Sequence, residues 1–236
     1  SLVDANTDQQ IWADNFSWKM ENIFTLQENI AEHIASALQV TITPEEKSRI
    51  SKVISSNPRV LDAYYEAQMA YMKYAFTAIH TDSEYRKIQS LCDKLLALDS
   101  TIAAGYVLKA ETFLTRYGNS NRNKEYFTNA FTDTLEELSQ KALSLDNNSV
   151  DAMILMASYY ELTGNYNQEY YFLQKAFSLN PNNLGVVSGL SSYYAIDRID
   201  AENAIRYAKK ALAIDPQSVF TSSIYLNLFN SYFNIC

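Results

Sequence analysis

VDAMILMASYYELTGNYNQEYYFLQKAFSLNPNN, Val150 to Asn183, is 34 residues long and reads as two helices joined at Thr163-Gly164-Asn165. Glycine at such a turn adopts the left-handed backbone conformation that ends a helix. The unit closes on Asn180-Pro181-Asn182, where Pro181 has no N–H and cannot continue the second helix. The closing phrase recurs along the chain. KLLALDS spans Lys94 to Ser100, KALSLDN Lys141 to Asn147, KAFSLNP Lys175 to Pro181, and KALAIDP Lys210 to Pro216. Their spacings are 47, 34 and 35 residues, and the second positions hold Leu95, Ala142, Ala176 and Ala211. A partial fifth ending, SSNP, lies at Ser55 to Pro58.

The first helices of the units align as well. An aromatic recurs at Tyr71, Phe113, Tyr160, Tyr194 and Phe229, and three residues before it stand Gln68, Ala110, Ala157, Ser191 and Leu226. A small residue there lets a partner helix approach, and the aromatic fills the gap beside it. Gln68 and Leu226 depart from this rule, as terminal units do. Ala204 holds a similar small position in a second helix. The 47-residue spacing leaves 13 extra residues, which fit the polar stretch from Tyr117 to Asn129 as a loop, or a loop plus a helix extension. Only 5 Gly and 4 Pro occur in 236 residues, which favours long helices on short loops over a turn-dense β fold.

The 34-residue period, with Ala157, Tyr160, Gly164, Ala176 and Pro181, resembles the tetratricopeptide repeat family. The resemblance covers about residues 59–235. The unit at 150–183 is a specific match and the next is good; those at 59–100 and 101–147 are degenerate. It implies an all-α helical superhelix of about four helix pairs, near 60–98, 102–145, 150–179 and 184–214, plus a terminal helix near 218–233. One helix pair cannot bury its apolar face alone, so stacked neighbours make a continuous core. The terminal helix carries Ile224, Tyr225, Leu228, Phe229, Tyr232 and Phe233, too apolar for a comfortable exposed end. Either something covers it or the natural chain continues.

Residues 1–58 do not fit the repeat. Ser1 to Ala5 and Gln10 to Phe16 read as two short strands, with turn chemistry at Asn6-Thr7-Asp8-Gln9, so a β-hairpin is expected over 2–16. A helix over 20–39 follows, with Ile23, Phe24, Leu26, Ile30, Ala31, Ile34 and Leu38 at helical spacing. Thr43-Pro44-Glu45-Glu46 starts another, with Thr as N-cap and Pro at the first position. A lone hairpin is marginally stable, so this segment is expected to be a fragment of a small α/β module whose other strands lie upstream. Through Trp12, Ile23-Phe24, Leu26-Gln27 and Ile30-Ala31 it resembles the junction at which such a module leads into tetratricopeptide repeats in bacterial signalling proteins. Those proteins usually carry an output domain upstream: a nucleotide cyclase, a kinase or a winged-helix domain. A membrane helix often intervenes.

The formal charge is −8 and the pI about 4.8. The acid is spread along the chain, with 8 acidic and 4 basic groups in residues 1–58 and 19 and 15 beyond. Nucleic acid binding needs a basic face, so none is expected of this region. The longest unbroken apolar stretch is six residues, Ala152 to Ala157, against about 20 for a membrane-spanning helix. His33, His80, Cys92 and Cys236 are scattered and make no ligand pattern. Cys92, at a mid-helix position, reads as a small buried apolar group. The five glycines never form a phosphate-cradling loop, and no nucleophile stands beside a base. The chain is therefore expected to be no enzyme, and neither cofactor nor metal is implied.

Binding remains. In the tetratricopeptide repeat family the first helices line the concave surface. Carried onto this chain, the resemblance places Asp62, Tyr65, Met69 and Met72 there, then Ala104, Val107, Glu111 and Leu114, then Asp151, Ile154, Ser158 and Glu161, then Gly185, Ser188, Ser192 and Ala195. The Lys/Arg clamp by which some members hold a C-terminal carboxylate has no counterpart at these positions. Tyr65, Met69 and Met72 read either as an adaptable peptide surface or as core contacts. Ser188, Ser191 and Ser192 with Gly185 and Gly189 make one helix small-sided, for close approach of a ligand or of a neighbouring helix. The expected function is a protein- or peptide-binding, or sensor, region of a larger bacterial signalling protein. The alternative is a scaffold that self-associates through its terminal helix. The periplasmic face of the inner membrane is slightly favoured over the cytoplasm.

Overall fold

The computed structural model describes residues 2–3, 7–13, 23–38, 42, 47–48, 53–77, 81–118, 129–197, 199–217 and 221–235. The chain forms two compact units, Ser1–Ser56 and Asn57–Cys236.

In the first unit, β1 (Leu2–Val3) pairs antiparallel with β2 (Gln10–Trp12), Leu2 opposite Trp12 and Val3 opposite Gln10. Asp8, between them, takes φ 55°, a conformation Asp tolerates in tight turns. The ladder is shorter than the span expected over 2–16, of which 14–16 lie outside the described residues. Helix α1 runs Ile23–Ala37 and buries Ala35. The expected first turn at 20–22 and the cap at 43–46 lie outside the described residues.

The second unit is built of paired helices: α2 (Pro58–Ala75) with α3 (Asp82–Leu98), α4 (Ala103–Gly118) with α5 (Asn129–Leu145), α6 (Val150–Leu162) with α7 (Tyr166–Leu179), α8 (Leu184–Ser192) with α9 (Ala201–Ile214), and finally α10 (Thr221–Ile235). Each helix packs on the next, and α2, α4, α6, α8 and α10 also touch in sequence. One face of the unit is therefore made of first helices. The extra residues between α4 and α5 fall mostly at 119–128, outside the described residues.

Local chemistry explains the boundaries. Asn57, Thr81, Ser149, Asn165, Asn183 and Asp200 each cap a helix, the side-chain oxygen accepting a backbone N–H two or three residues on. The recurring closing phrase also has a mechanical role. The backbone N–H groups of Asp99, Asp146, Asn180 and Asp215 donate to the carbonyls of Leu95, Ala142, Ala176 and Ala211, all four fully buried. The Asp99, Asp146 and Asp215 carboxylates then accept the N–H of Thr101, Asn148 and Gln217, turning the chain toward the next helix. The Thr101 hydroxyl also donates to Asp99 and holds that carboxyl below its usual range.

The repeating aromatic stacks on a ring of the second helix in three successive units. Phe113 lies 4.9 Å from Phe131, Tyr160 5.7 Å from Phe172 and Tyr194 5.7 Å from Tyr207, all face to face. Offset stacking adds to what ring burial alone contributes. The neighbouring small positions, Ala110, Ala157 and Ser191, are buried, and the Ser191 hydroxyl donates to the Ala204 carbonyl across the helix pair. In the last pair the turn differs. Gly164 carries φ 75° in the unit at 150–183, but 34 and 35 positions on stand Arg198 and Ile199. There α8 runs into one π-helical turn, Tyr193–Asp197, and Ile199 takes φ 54°.

The core is continuous with this stacking. Met153, Ala157, Leu173, Val187, Leu190, Tyr193, Tyr207 and Ile224 cluster across α6 to α10. Ala67, Tyr74, Ile88, Cys92 and Leu108 cluster across α2 to α4. Cys92 is fully buried, as its position in the pattern suggests.

Candidate functional site

A cleft of about 170 Å³ opens among α6, α7, α8 and α10. Helix periodicity puts its wall residues in register. On α6, Ile154, Ser158 and Glu161 follow at steps of four and three, so they share one face. Gly185, Ser188, Gly189 and Ser192 do the same on α8, and Ser223, Ile224 and Asn227 on α10. Ala157 of α6 and Glu169 and Leu173 of α7 complete the lining.

The cleft is narrow because small residues draw the helices together. A Cβ on Gly189 would lie 2.8 Å from Leu173 Cδ2, and one on Gly185 3.0 Å from Ile154 Cδ1. The small side of α8 thus serves helix packing, and the residues between the contacts face the cleft. Asn227, 3% exposed, donates its amide to Ser192 Oγ at 3.0 Å and to Ser191 Oγ at 3.4 Å. The Ser188 hydroxyl is buried and has no hydrogen-bond partner among the described residues.

Glu169 breaks the repeat register. Counted back from Lys94, Lys141, Lys175 and Lys210, the same position holds Ile88, Leu135, Glu169 and Ala204. All four are buried, at 2%, 0%, 3% and 0% exposure. Three units place an aliphatic side chain there and the third places an acid. The acid stands in the unit that carries the cleft.

A second acidic patch lies nearer the start of the stack. Burial and the Asp151 charge push the Glu111 carboxyl up to about 8. Tyr64 and Tyr71 feel Glu111, and burial with that charge pushes both phenols up to about 12. The Tyr71 hydroxyl lies 3.3 Å from Thr115 Oγ1.

The residues named from the resemblance are thus divided by the structure. Ile154, Ser158, Glu161, Ser188 and Ser192 come together in the cleft. Glu111 belongs to the second patch, where Tyr64 senses its charge; Tyr65 packs edge-on against Tyr64 at 5.4 Å. Met69 and Met72 are 74% and 48% exposed, so they are not core contacts. Val107 is a correction: it is buried among Ala110, Leu135 and Leu155, because its helix turns that side toward the neighbouring units. Leu114 packs against the same cluster. Glu169, Leu173, Ser223, Ile224 and Asn227 were not among the expected residues. Two left a signal: Glu169 in an aliphatic register, and Asn227 between Ile224 and Leu228 in the last helix. Among the described residues no group of three or more His, Cys, Asp or Glu could hold a metal ion, and no helix is long and apolar enough to cross a membrane.

No family model matches the chain. It is 24% identical over 148 residues to "Putative adenylate cyclase 3" of Rhizobium meliloti (strain 1021), a match covering 61% of this chain. The chain spans 23% of the length of that relative. Among solved structures it is similar to TTC0263, a thermophilic TPR protein of Thermus thermophilus. The TM-score is 0.56 at 13% identity, covering 90% of this chain and 97% of the other. YrrB, a TPR protein with an unusual peptide-binding site, is 15% identical, with 79% of this chain and 100% of that one covered, at a TM-score of 0.35. The fold is all-α and TPR-like.

Proposed function

We propose that this chain is a binding, non-enzymatic region of a larger bacterial signalling protein, taking a protein or peptide segment on the face built by its first helices. The observation that carries the reading is the cleft among α6, α7, α8 and α10, a concave site with a few converging polar groups set in apolar walls. The adenylate cyclase relative supports the signalling context, because this chain matches a minor part of a much longer protein. Residues 1–58 are proposed to be the fragment of an α/β module that joins this face to an output domain, and residues 59–236 the repeat region. The periplasmic face of the inner membrane is favoured over the cytoplasm for this unit, and no nucleic acid partner is proposed. Alanine substitution along the inward faces of α2, α4, α6 and α8 in the full-length protein tests the reading. Loss of signalling is expected; full signalling from every variant would sink it.

A second reading, a self-associating scaffold, is favoured by one observation. Helix α10 exposes Tyr225, Leu226, Phe229, Tyr232 and Phe233 on its outer side, and Phe229 and Phe233 stack at 6.3 Å. Light scattering of this chain against a Phe229→Asp, Phe233→Asp variant separates the two. A concentration-dependent dimer lost in the variant supports the scaffold.

A further inference from the structure

Three uncharged groups of the cleft keep hydrogen-bonding capacity to spare. Ser188 lines it at 7% exposure, and its hydroxyl has no hydrogen-bond partner among the described residues. A buried polar group left without a partner carries a cost that a bonded ligand removes. Ser192 stands four residues on, one turn away on the same side of α8. Its oxygen accepts the Asn227 amide at 3.0 Å, so what it keeps is its own O–H donor. Asn227 uses its amide nitrogen on Ser192 and Ser191, so what it keeps is its carbonyl acceptor. Apolar wall comes from Ile154, Leu173 and Ile224. At about 170 Å³ the space is well above the roughly 10–15 Å³ that a single water needs. It is below the roughly 300–1,000 Å³ of sites for drug-sized molecules. It suits one side chain rather than a folded ligand.

We infer that this cleft receives the side-chain carboxamide of a glutamine in a bound peptide, its methylenes against Ile154, Leu173 and Ile224 and its amide among Ser188, Ser192 and Asn227. A carboxamide carries two N–H donors and a carbonyl acceptor on one planar group. Its N–H groups answer the Asn227 carbonyl and the Ser188 oxygen. Its carbonyl answers the hydroxyl hydrogens of Ser188 and Ser192. A carboxylate brings acceptors alone and an ammonium donors alone, so each leaves one half of this set unused. A thioether of similar length bonds neither half well. The two methylenes answer the apolar wall, and asparagine brings the same polar end on a shorter stem. The inference rests on the peptide-binding reading above and names the residue that the site takes.

The test uses capped pentapeptide libraries, acetyl-X-X-Gln-X-X-N-methylamide and the same with methionine, glutamate or lysine at the centre, X excluding Asn and Gln. Butyramide serves as a free amide. Chemical shifts of the backbone amides and of the Asn227 side-chain amide report where each binds. The glutamine library is expected to move Ser188, Ser192 and both Asn227 signals, and the methionine library to leave them in place. Ser188→Ala removes a hydroxyl that is buried and unbonded among the described residues, so it is expected to fold. Loss of one neutral hydrogen bond corresponds to a several-fold change in affinity, up to about tenfold. Ser188→Ala is expected to weaken the glutamine library by that factor and to leave the methionine library unchanged. Unaltered glutamine binding in a folded Ser188→Ala chain overturns the inference. So does methionine, glutamate or lysine binding in the cleft as tightly as glutamine. Butyramide binding as tightly as the glutamine library overturns it too, because the source is then a free amide. Peptide binding confined to the Tyr64, Tyr71 and Glu111 patch overturns the inference and leaves the peptide-binding function standing. Binding of no peptide anywhere overturns both.

Discussion

Asn227 reaches across 35 positions of sequence to place its side-chain amide 3.0 Å from Ser192 Oγ. That contact, with the longer one to Ser191, fastens the last helix to α8 and sets one wall of the cleft. Asn227→Ala leaves the buried Ser191 and half-buried Ser192 hydroxyls without this amide, at about 1–3 kcal/mol. Urea denaturation is expected to show that loss, and the amide signals of Ser191 and Ser192 are expected to shift. An unchanged midpoint would mean the pair does not anchor α10.

Ile199 holds φ 54° at the turn before α9. A β-branched side chain in the left-handed region is strained by about 1–2 kcal/mol, and glycine relieves it. Gly164 already does so in the preceding unit. Ile199→Gly is expected to raise the unfolding free energy by up to about 1 kcal/mol, glycine's greater unfolded entropy offsetting the rest. Destabilisation instead would show that the exposed Ile199 side chain matters more than its backbone.

Glu111 sets a pH dependence whose sign is unusual for an acid. Its carboxyl is raised from 4.5 to about 8 in the folded chain. Between those values the native state holds a proton that the unfolded chain has released. Stability is therefore fullest below about 4.5, falls as pH rises toward 8, and levels off above it. Asp200, lowered chiefly by the Asn203 side-chain hydrogen bond, acts the opposite way at acid pH. Thermal melts between about pH 6 and pH 9 are expected to show the decline in the native chain and a flatter profile in Glu111→Gln. Parallel profiles would remove Glu111 as the cause.

Met153 and Met69 make a contrast. Met153 is fully buried in the α6 to α10 core, whereas Met69 is 74% exposed. Met153→Ala is expected to cost about 2–5 kcal/mol through lost burial and the cavity left behind. Met69→Ala should stay within about 0.5 kcal/mol. If the peptide face extends to α2, only the Met69 change will alter binding while leaving the melt untouched.

Cys92 should be chemically silent. Burial pushes its thiol up to about 12, so little thiolate exists near neutral pH. In a Cys236→Ser background, a thiol reagent is expected to label the chain only as fast as it unfolds. Rapid labelling of the native form would show local opening of α3.

Much of the fold was legible along the chain, for a physical reason. Helix ends are local events. Asn165, Gly164, Pro181 and the Asp or Asn of each closing phrase act on backbone groups a few residues away, so spacing alone reveals them. The small and aromatic positions of the repeat were legible too, since each unit must solve the same packing problem against its neighbour. Ala157 beside Tyr160 and Ser191 beside Tyr194 are two copies of one solution. The turn at Ile199 was not visible, because no rule of spacing announces a π-helical turn where glycine is missing.

The site divides in the same way. Ile154, Ser158, Glu161, Ser188 and Ser192 were named from the resemblance, which implies that first helices line the concave face; the helical period explains only why such positions share one side of a helix. That Val107 turns into the core while Glu111 feels the charge of Asp151 depends on how α4 sits between α2 and α6. Asn227 joins Ser192, and Glu169 enters the same cleft from a second helix, only because several helices converge there. Local backbone chemistry is written residue by residue in this chain and determines its repeat. Which side chains share a cavity depends on interhelical distances and rotations, summed over the whole stack, and only the tertiary structure decided that.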